Sequence, residues 1–202
     1  MSRAIDRDPL AGLLTEVRGC QACAAQLPCP PRPIVQAGCR ARLLIVGQAP
    51  GRRVQETGIA WNDASGDRLR AWLQLAPDTF YDAQRVALVP MGFCYPGQGA
   101  SGDRPPRPEC APLWHPRLLA AMPDVRLTLL IGAYAQARYL GESAAKAGLT
   151  ATVAGWREQL AHHRFVLPHP SPRNQGWLKQ NSWFEAEALP ELQARVAAAL
   201  AD

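Results

Sequence analysis

Five stretches of this 202-residue chain gather the residue types that do chemistry. His169-Pro-Ser-Pro-Arg-Asn174 holds a histidine between Pro168 and Pro170 and follows it with Ser171, Arg173 and Asn174, all able to contact phosphate. Gly47-Gln-Ala-Pro-Gly51 sets glycines around a proline, a tight turn that presents backbone N–H groups to a ligand. Trp61 sits in Gly58-Ile-Ala-Trp-Asn-Asp-Ala-Ser-Gly66, just ahead of an expected helix, where it serves either as a core aromatic or as a ligand platform, with Ser65 as a helix cap. Cys20-Gln-Ala-Cys23 is a C-x-x-C pair, and Cys94 and Cys110 lie sixteen apart around a proline-rich loop. Two thiolates from each of two segments make a four-thiolate site that suits zinc or an iron–sulfur cluster. Cys29 and Cys39 remain as packing thiols, Cys29 being a rival to Cys23.

These residues need a frame, and the apolar pattern supplies one. Four short runs rich in Leu, Val and Ile, each ending in Gly or Pro, read as buried strands at 41–46, 85–89, 125–131 and 164–167. Helical spacing falls between them, with Leu69, Trp72 and Leu73 at i, i+3 and i+4, Leu113, Leu118 and Leu119 carried by 110–121, and a shorter case at 133–140. A leading helix over 5–20 and a closing one over 184–201 bracket the set. Strands alternating with helices imply right-handed crossovers and an α/β fold, a three-layer α/β/α sandwich with a central four-stranded parallel sheet. The whole chain, 1–202, reads as one domain, with the N-terminal helix and cysteine pair (about 5–39) completing the metal site. In such sheets ligands sit beyond the carboxyl ends of the strands. The loops expected there are 47–51, the one starting at Met91, Gly132 to Tyr134, and 168–174.

Composition sets outer limits. At 48% apolar and 19% charged, with no repeat, the chain is neither fibrous nor disordered. No apolar run approaches the roughly 20 residues of a membrane span, and the first residues lack the apolar stretch of a secretion signal. The expectation is a cytoplasmic protein with no membrane partner. A reducing compartment makes the six cysteines metal ligands or buried thiols rather than disulfides. The net charge of +5 is carried almost wholly by arginine, Lys146 and Lys179 excepted. That fits a phosphate-binding surface and equally an arginine-rich coding bias. His162 and His163 have no motif around them and are expected to face solvent.

Taken together, the Gly47–Gly51 turn and the His169–Asn174 run resemble the two motifs of the uracil-DNA glycosylase superfamily. The closest likeness is to its thermostable iron–sulfur branch, family four, over about residues 20–196. Thr57-Gly58, Ala60-Trp61 and Gly66 match that branch's Thr-Gly, Pro-Phe and Gly. The resemblance implies a 4Fe–4S cluster on Cys20, Cys23, Cys94 and Cys110, zinc being the alternative, with a structural role. It also implies a monomeric base-excision repair enzyme acting on DNA that contains uracil or another deaminated base.

The resemblance assigns roles to residues. Leaving uracil departs with negative charge on O2, so His169 and the backbone N–H groups of Gln48 and Ala49 would stabilise it. Trp61 would stack on the flipped base in place of the family's Phe. Ser171, Pro172, Arg173 and Asn174 would hold the DNA backbone. The chain departs from the pattern in placing Gln48 where family four has Glu. Glu56 and Asp63 are then the nearest carboxylates for activating water, with Asn62 or Gln48 able to orient it. The family's base-reading Asn falls on Pro90, so base selection passes to Asn62, Tyr95 or the backbone near Met91. The alternative reading is a damaged-DNA-binding or uracil-trapping protein of the same fold with little or no turnover.

Overall fold

The computed structural model describes residues 9–100 and 102–201. In chain order it runs α1 (Pro9–Arg18), β1 (Leu43–Val46), α2 (Arg52–Thr57), α3 (Ala64–Leu73), α4 (Pro77–Phe80), β2 (Val86–Leu88), β3 (Gln98–Gly99), β4 (Gly102–Asp103) and α5 (Cys110–Ala120). It continues with β5 (Leu127–Ile131), α6 (Ala133–Leu140), α7 (Glu142–Ala154), α8 (Trp156–Leu160), β6 (Arg164–Leu167), α9 (Gln175–Gln180) and α10 (Leu189–Leu200). Of the leading helix expected over 5–20, residues 5–8 lie outside the described residues. The closing helix begins with a wide turn at Phe184–Ala188 before α10.

The central sheet is parallel throughout, in the order β2-β1-β5-β6, with Leu43 opposite Val86 and Leu127, and Thr128 opposite Arg164. Every residue of β1 and β2 is buried, as befits strands covered on both faces. Helix α10 packs on α3 and against β1 and β5, α6 packs against β5, and α8 against β6. All four strands expected from the apolar runs are present. The two-residue strands β3 and β4 form a small antiparallel hairpin in the proline-rich loop after β2. Strands that short carry no periodicity for a sequence reading to detect.

Topology fixes where a ligand can sit. The chain leaves β1 toward β2 on one side, then returns across it to place β5 on the other. The crevice at their carboxyl ends is therefore a topological switch point. The expected loops all end there.

Candidate active site

A cleft of about 590 Å³ opens at that point, lined by Gln48, Ala49, Trp61, Asp63, His169 and Arg173 among others. This volume falls within the roughly 300–1,000 Å³ of small-molecule sites.

The first wall is the turn after β1. Met91 N–H donates to the Gly47 carbonyl and Gly92 N–H to the Gln48 carbonyl, both at 2.9 Å. The N–H groups of Gln48 and Ala49 donate to no group among the described residues. A trans peptide points its N–H opposite its C=O, so fixing these carbonyls on the 91–92 side turns both N–H groups away from that side, and Gln48 and Ala49 both line the cleft. The side-chain amide of Gln48 reaches the Arg104 carbonyl at 3.5 Å.

The second wall is the loop after β6. Buried Gln136 of α6 donates to the Leu167 carbonyl at 2.9 Å, and Gly132 N–H donates to the same oxygen at 3.0 Å, pinning the strand end just before His169. The Asn174 amide donates to the His169 carbonyl at 2.7 Å, and the Ser171 hydroxyl accepts from Arg173 N–H at 3.3 Å. Asn174 lines the cleft, and one N–H of its amide braces the loop. Arg68 of α3 clamps the loop from outside, donating to the Ser171 carbonyl and the Gln175 side chain. The His169 ring has no hydrogen-bond partner among the described residues. Burial lowers its pKa, opposed by the carboxylate of Asp63, so the imidazole is held neutral.

Trp61 joins the walls. Its ring stacks on His169 with centroids 5.7 Å apart at 29°, and it lies so close to Gly47 that a Cβ there would come within 2.8 Å of the indole. Its backbone is left-handed, φ 56°, a strained conformation for so bulky a residue. The strain is held by neighbours: Arg70 donates to the Trp61 carbonyl at 3.2 Å and Tyr81 to the Ala60 carbonyl at 3.0 Å. Gly66 is required here, because a Cβ would approach the Trp61 carbonyl to 1.6 Å. Motif spacing did not reveal Arg70, Tyr81 or Gln136, whose roles arise from contacts across the fold.

The carboxylates sort clearly. Asp63 lines the cleft; its Oδ1 caps α3 by accepting from Gly66 N–H at 2.9 Å. Glu56, the other expected water activator, is corrected: it is an exposed residue of α2, paired with Arg52 at 3.1 Å, and does not line the cleft. Asn62 and Tyr95 do not line it either, whereas Pro90 does. Asp103 of the small hairpin, which no sequence motif marks, does line the cleft. Its pKa is raised, by burial first, with Arg173 opposing and Asp63 adding. His162 and His163 are exposed, as expected.

Cys20, Cys23, Cys94 and Cys110 line one small cavity together, as their spacing suggested. Burial pushes the Cys94 thiol up to about 11 and the Cys110 thiol up to about 12. Phe93 N–H donates to the Cys110 sulfur at 3.3 Å. Among the described residues no three His, Cys, Asp or Glu side chains are gathered as a formed metal-ion site. The donor chemistry, four thiols around one cavity, is that of a thiolate-ligated group. Cys29 and Cys39 lie outside this lining, and Cys39 contacts the Gln84 side chain and the hydrophobic core.

Residues 35–193 match the family model described as the uracil DNA glycosylase superfamily. The chain belongs to the uracil DNA glycosylase superfamily. Membership implies glycosylase-type hydrolase chemistry on DNA. The matched span takes in both cleft motifs, Cys94 and Cys110; Cys20 and Cys23 precede it. No helix among the described residues is long and apolar enough to cross a membrane.

Proposed function

We propose that the protein is a monofunctional DNA glycosylase that flips uracil or a related deaminated base into the cleft and hydrolyses its N-glycosidic bond. One observation carries this reading: an unpartnered, neutral imidazole and two unpartnered backbone N–H groups border the same cleft, with an aromatic ring between them. Departing uracil gathers negative charge on a carbonyl oxygen. Fixed donors aimed at that oxygen lower the barrier without reorganising during the reaction. His169 supplies the imidazole donor, Gln48 and Ala49 the amides. Asp63, with Oδ1 engaged at the cap, keeps Oδ2 for orienting a water toward the sugar's anomeric carbon. Trp61 offers the flipped base a stacking surface, and Ser171, Pro172 and Arg173 border the cleft where the DNA backbone would run.

The four-cysteine cavity supports assignment to the iron–sulfur branch, with a 4Fe–4S cluster on Cys20, Cys23, Cys94 and Cys110 and zinc as the alternative. Such a group would clamp the loop after β2 to the chain following α1; it supplies no step of the hydrolysis. Iron and zinc analysis with a visible spectrum of anaerobically purified protein separates the two.

Release of free base from single-stranded oligonucleotides containing uracil, hypoxanthine or xanthine is the direct test. The expected result is release of at least one of these bases by the wild-type protein. Tight binding with no release from any of them would overturn the glycosylase reading in favour of a damage-binding protein.

A further inference from the structure

His115 is a buried polar side chain that the proposed reaction does not use. It sits on α5, only 2% exposed, and does not line the cleft. Its Nε2 lies 2.9 Å from the Pro90 carbonyl and its Nδ1 lies 2.7 Å from the Tyr139 hydroxyl. A carbonyl can only accept, so Nε2 carries the proton. Burial lowers the pKa of His115, the hydrogen bond to Pro90 opposing and Arg138 adding to the lowering, and burial raises that of Tyr139 to about 12. Both groups are therefore neutral, and the Tyr139 hydroxyl donates to Nδ1. The Phe93 ring stacks on the imidazole at 5.9 Å and 15°, which fixes its plane. Both ring nitrogens and one ring face are thus engaged.

Its target gives this lock a purpose. Pro90 lines the cleft and has no N–H, so its carbonyl is its one backbone hydrogen-bonding group. Immediately after it, Met91 and Gly92 donate to the carbonyls of Gly47 and Gln48, the bonds that set the direction of the N–H groups of the cleft-lining residues Gln48 and Ala49. We propose that His115 is a positioning residue: by holding the Pro90 carbonyl it fixes residues 90–92, and through them the direction of the two amide donors in the cleft. This inference rests on the glycosylase reading for its effect on rate, but the effect on amide geometry does not.

Three variants separate positioning from packing. His115→Gln keeps a donor long enough to reach the Pro90 carbonyl. His115→Asn keeps an amide near Nδ1 but falls short of that carbonyl, and His115→Leu keeps neither. A fixed donor removed outright costs about 100-fold or more in rate, so loosening it should cost about tenfold. The expected result is kcat for base release down about tenfold in Asn and Leu and restored to within about threefold in Gln, with KM changed less than about twofold. In 15N-labelled protein the amide resonances of Gln48 and Ala49 should shift in the Asn variant and stay near wild type in Gln. Should the Leu variant fail to fold, the Gln and Asn pair alone decides.

Equal kcat and equal amide shifts in the Gln and Asn variants, or kcat following melting temperature across the series, would overturn the proposal. If wild type releases no base, the functional reading falls, while the amide shifts still decide for or against positioning.

Discussion

The main cleft and the cysteine cavity share one short segment, residues 90–94, yet they are held in opposite ways. On the cleft side the polypeptide completes its own geometry: backbone carbonyls are bonded, N–H groups are left free, and His169 is kept neutral by burial. On the cavity side, four thiols face one space, and burial favours the protonated form of Cys94 and Cys110. Thiolate is the metal-binding form, so the proposed metal group would complete this site by displacing the protons. One site is preorganised by hydrogen bonds, while the other would be organised by the occupant proposed for it. The contrast predicts that substitutions in the cleft act on rate and those in the cavity on metal content and stability.

The largest effect should come from His169. Removing the unpartnered imidazole would take away the proposed transition-state donor, so His169→Ala is expected to lower kcat for base release about 100-fold or more, with little change in melting temperature. Base release measured beside thermal melting checks it. A variant with near wild-type kcat would break the cleft half of the comparison.

Trp61 should come next. It stacks on His169 and sits in a strained backbone conformation held by Arg70, Tyr81 and Gly66. Trp61→Ala is expected to cost about tenfold in kcat/KM, on the scale of one base–aromatic stack. Trp61→Phe should stay within about threefold, since a flat ring remains. Kinetics on one uracil-containing oligonucleotide make the comparison, and equal losses in both variants would show that the indole itself, not stacking, is used.

How much of this was legible in the sequence depended on how local each feature is. The four strands are continuous Leu, Val and Ile runs, and the two motifs are contiguous, so both were readable. The joining of Cys20 and Cys23 with Cys94 and Cys110 was readable from spacing, though not the thiols' protonation. Glu56 was misplaced because proximity in sequence to the first motif says nothing of the helix face it occupies; α2 turns it outward to Arg52. Asp103 was invisible because the hairpin that carries it has two-residue strands. His115 was invisible because its partners, Pro90 and Tyr139, come from different elements. Local chemistry is written locally, whereas support for it is written in tertiary contacts.

A smaller effect on rate is expected from the cavity. Cys110→Ser should cut bound iron or zinc sharply and lower the melting temperature, while kcat of the remaining folded protein stays within about threefold of wild type. Metal analysis, melting and active-site-normalised kinetics on the same preparation test this. A 100-fold loss of kcat at unchanged melting temperature would mean that the 90–94 segment transmits the occupant's state into the cleft, and the two regions would have to be treated as one.

The smallest effect is a pH dependence of stability, and its sign follows from the two buried histidines. Burial holds both His115 and His169 below the ordinary imidazole value. Below that value the unfolded chain binds protons that the folded chain refuses, so stability falls as pH drops through about 6.5 toward the folded values. Asp103 works the other way, because its raised pKa lets the folded protein take up a proton first as pH falls. Melting temperature alone therefore mixes the two. The difference between wild type and His115→Gln isolates the histidine, since that variant removes one titrating imidazole and leaves Asp103 in place. Its melting temperature should decline less than wild type's between about pH 7.5 and about pH 5.5. Parallel curves would mean that His115 titrates alike folded and unfolded, and would remove the burial argument on which the neutrality of its lock on Pro90 stands.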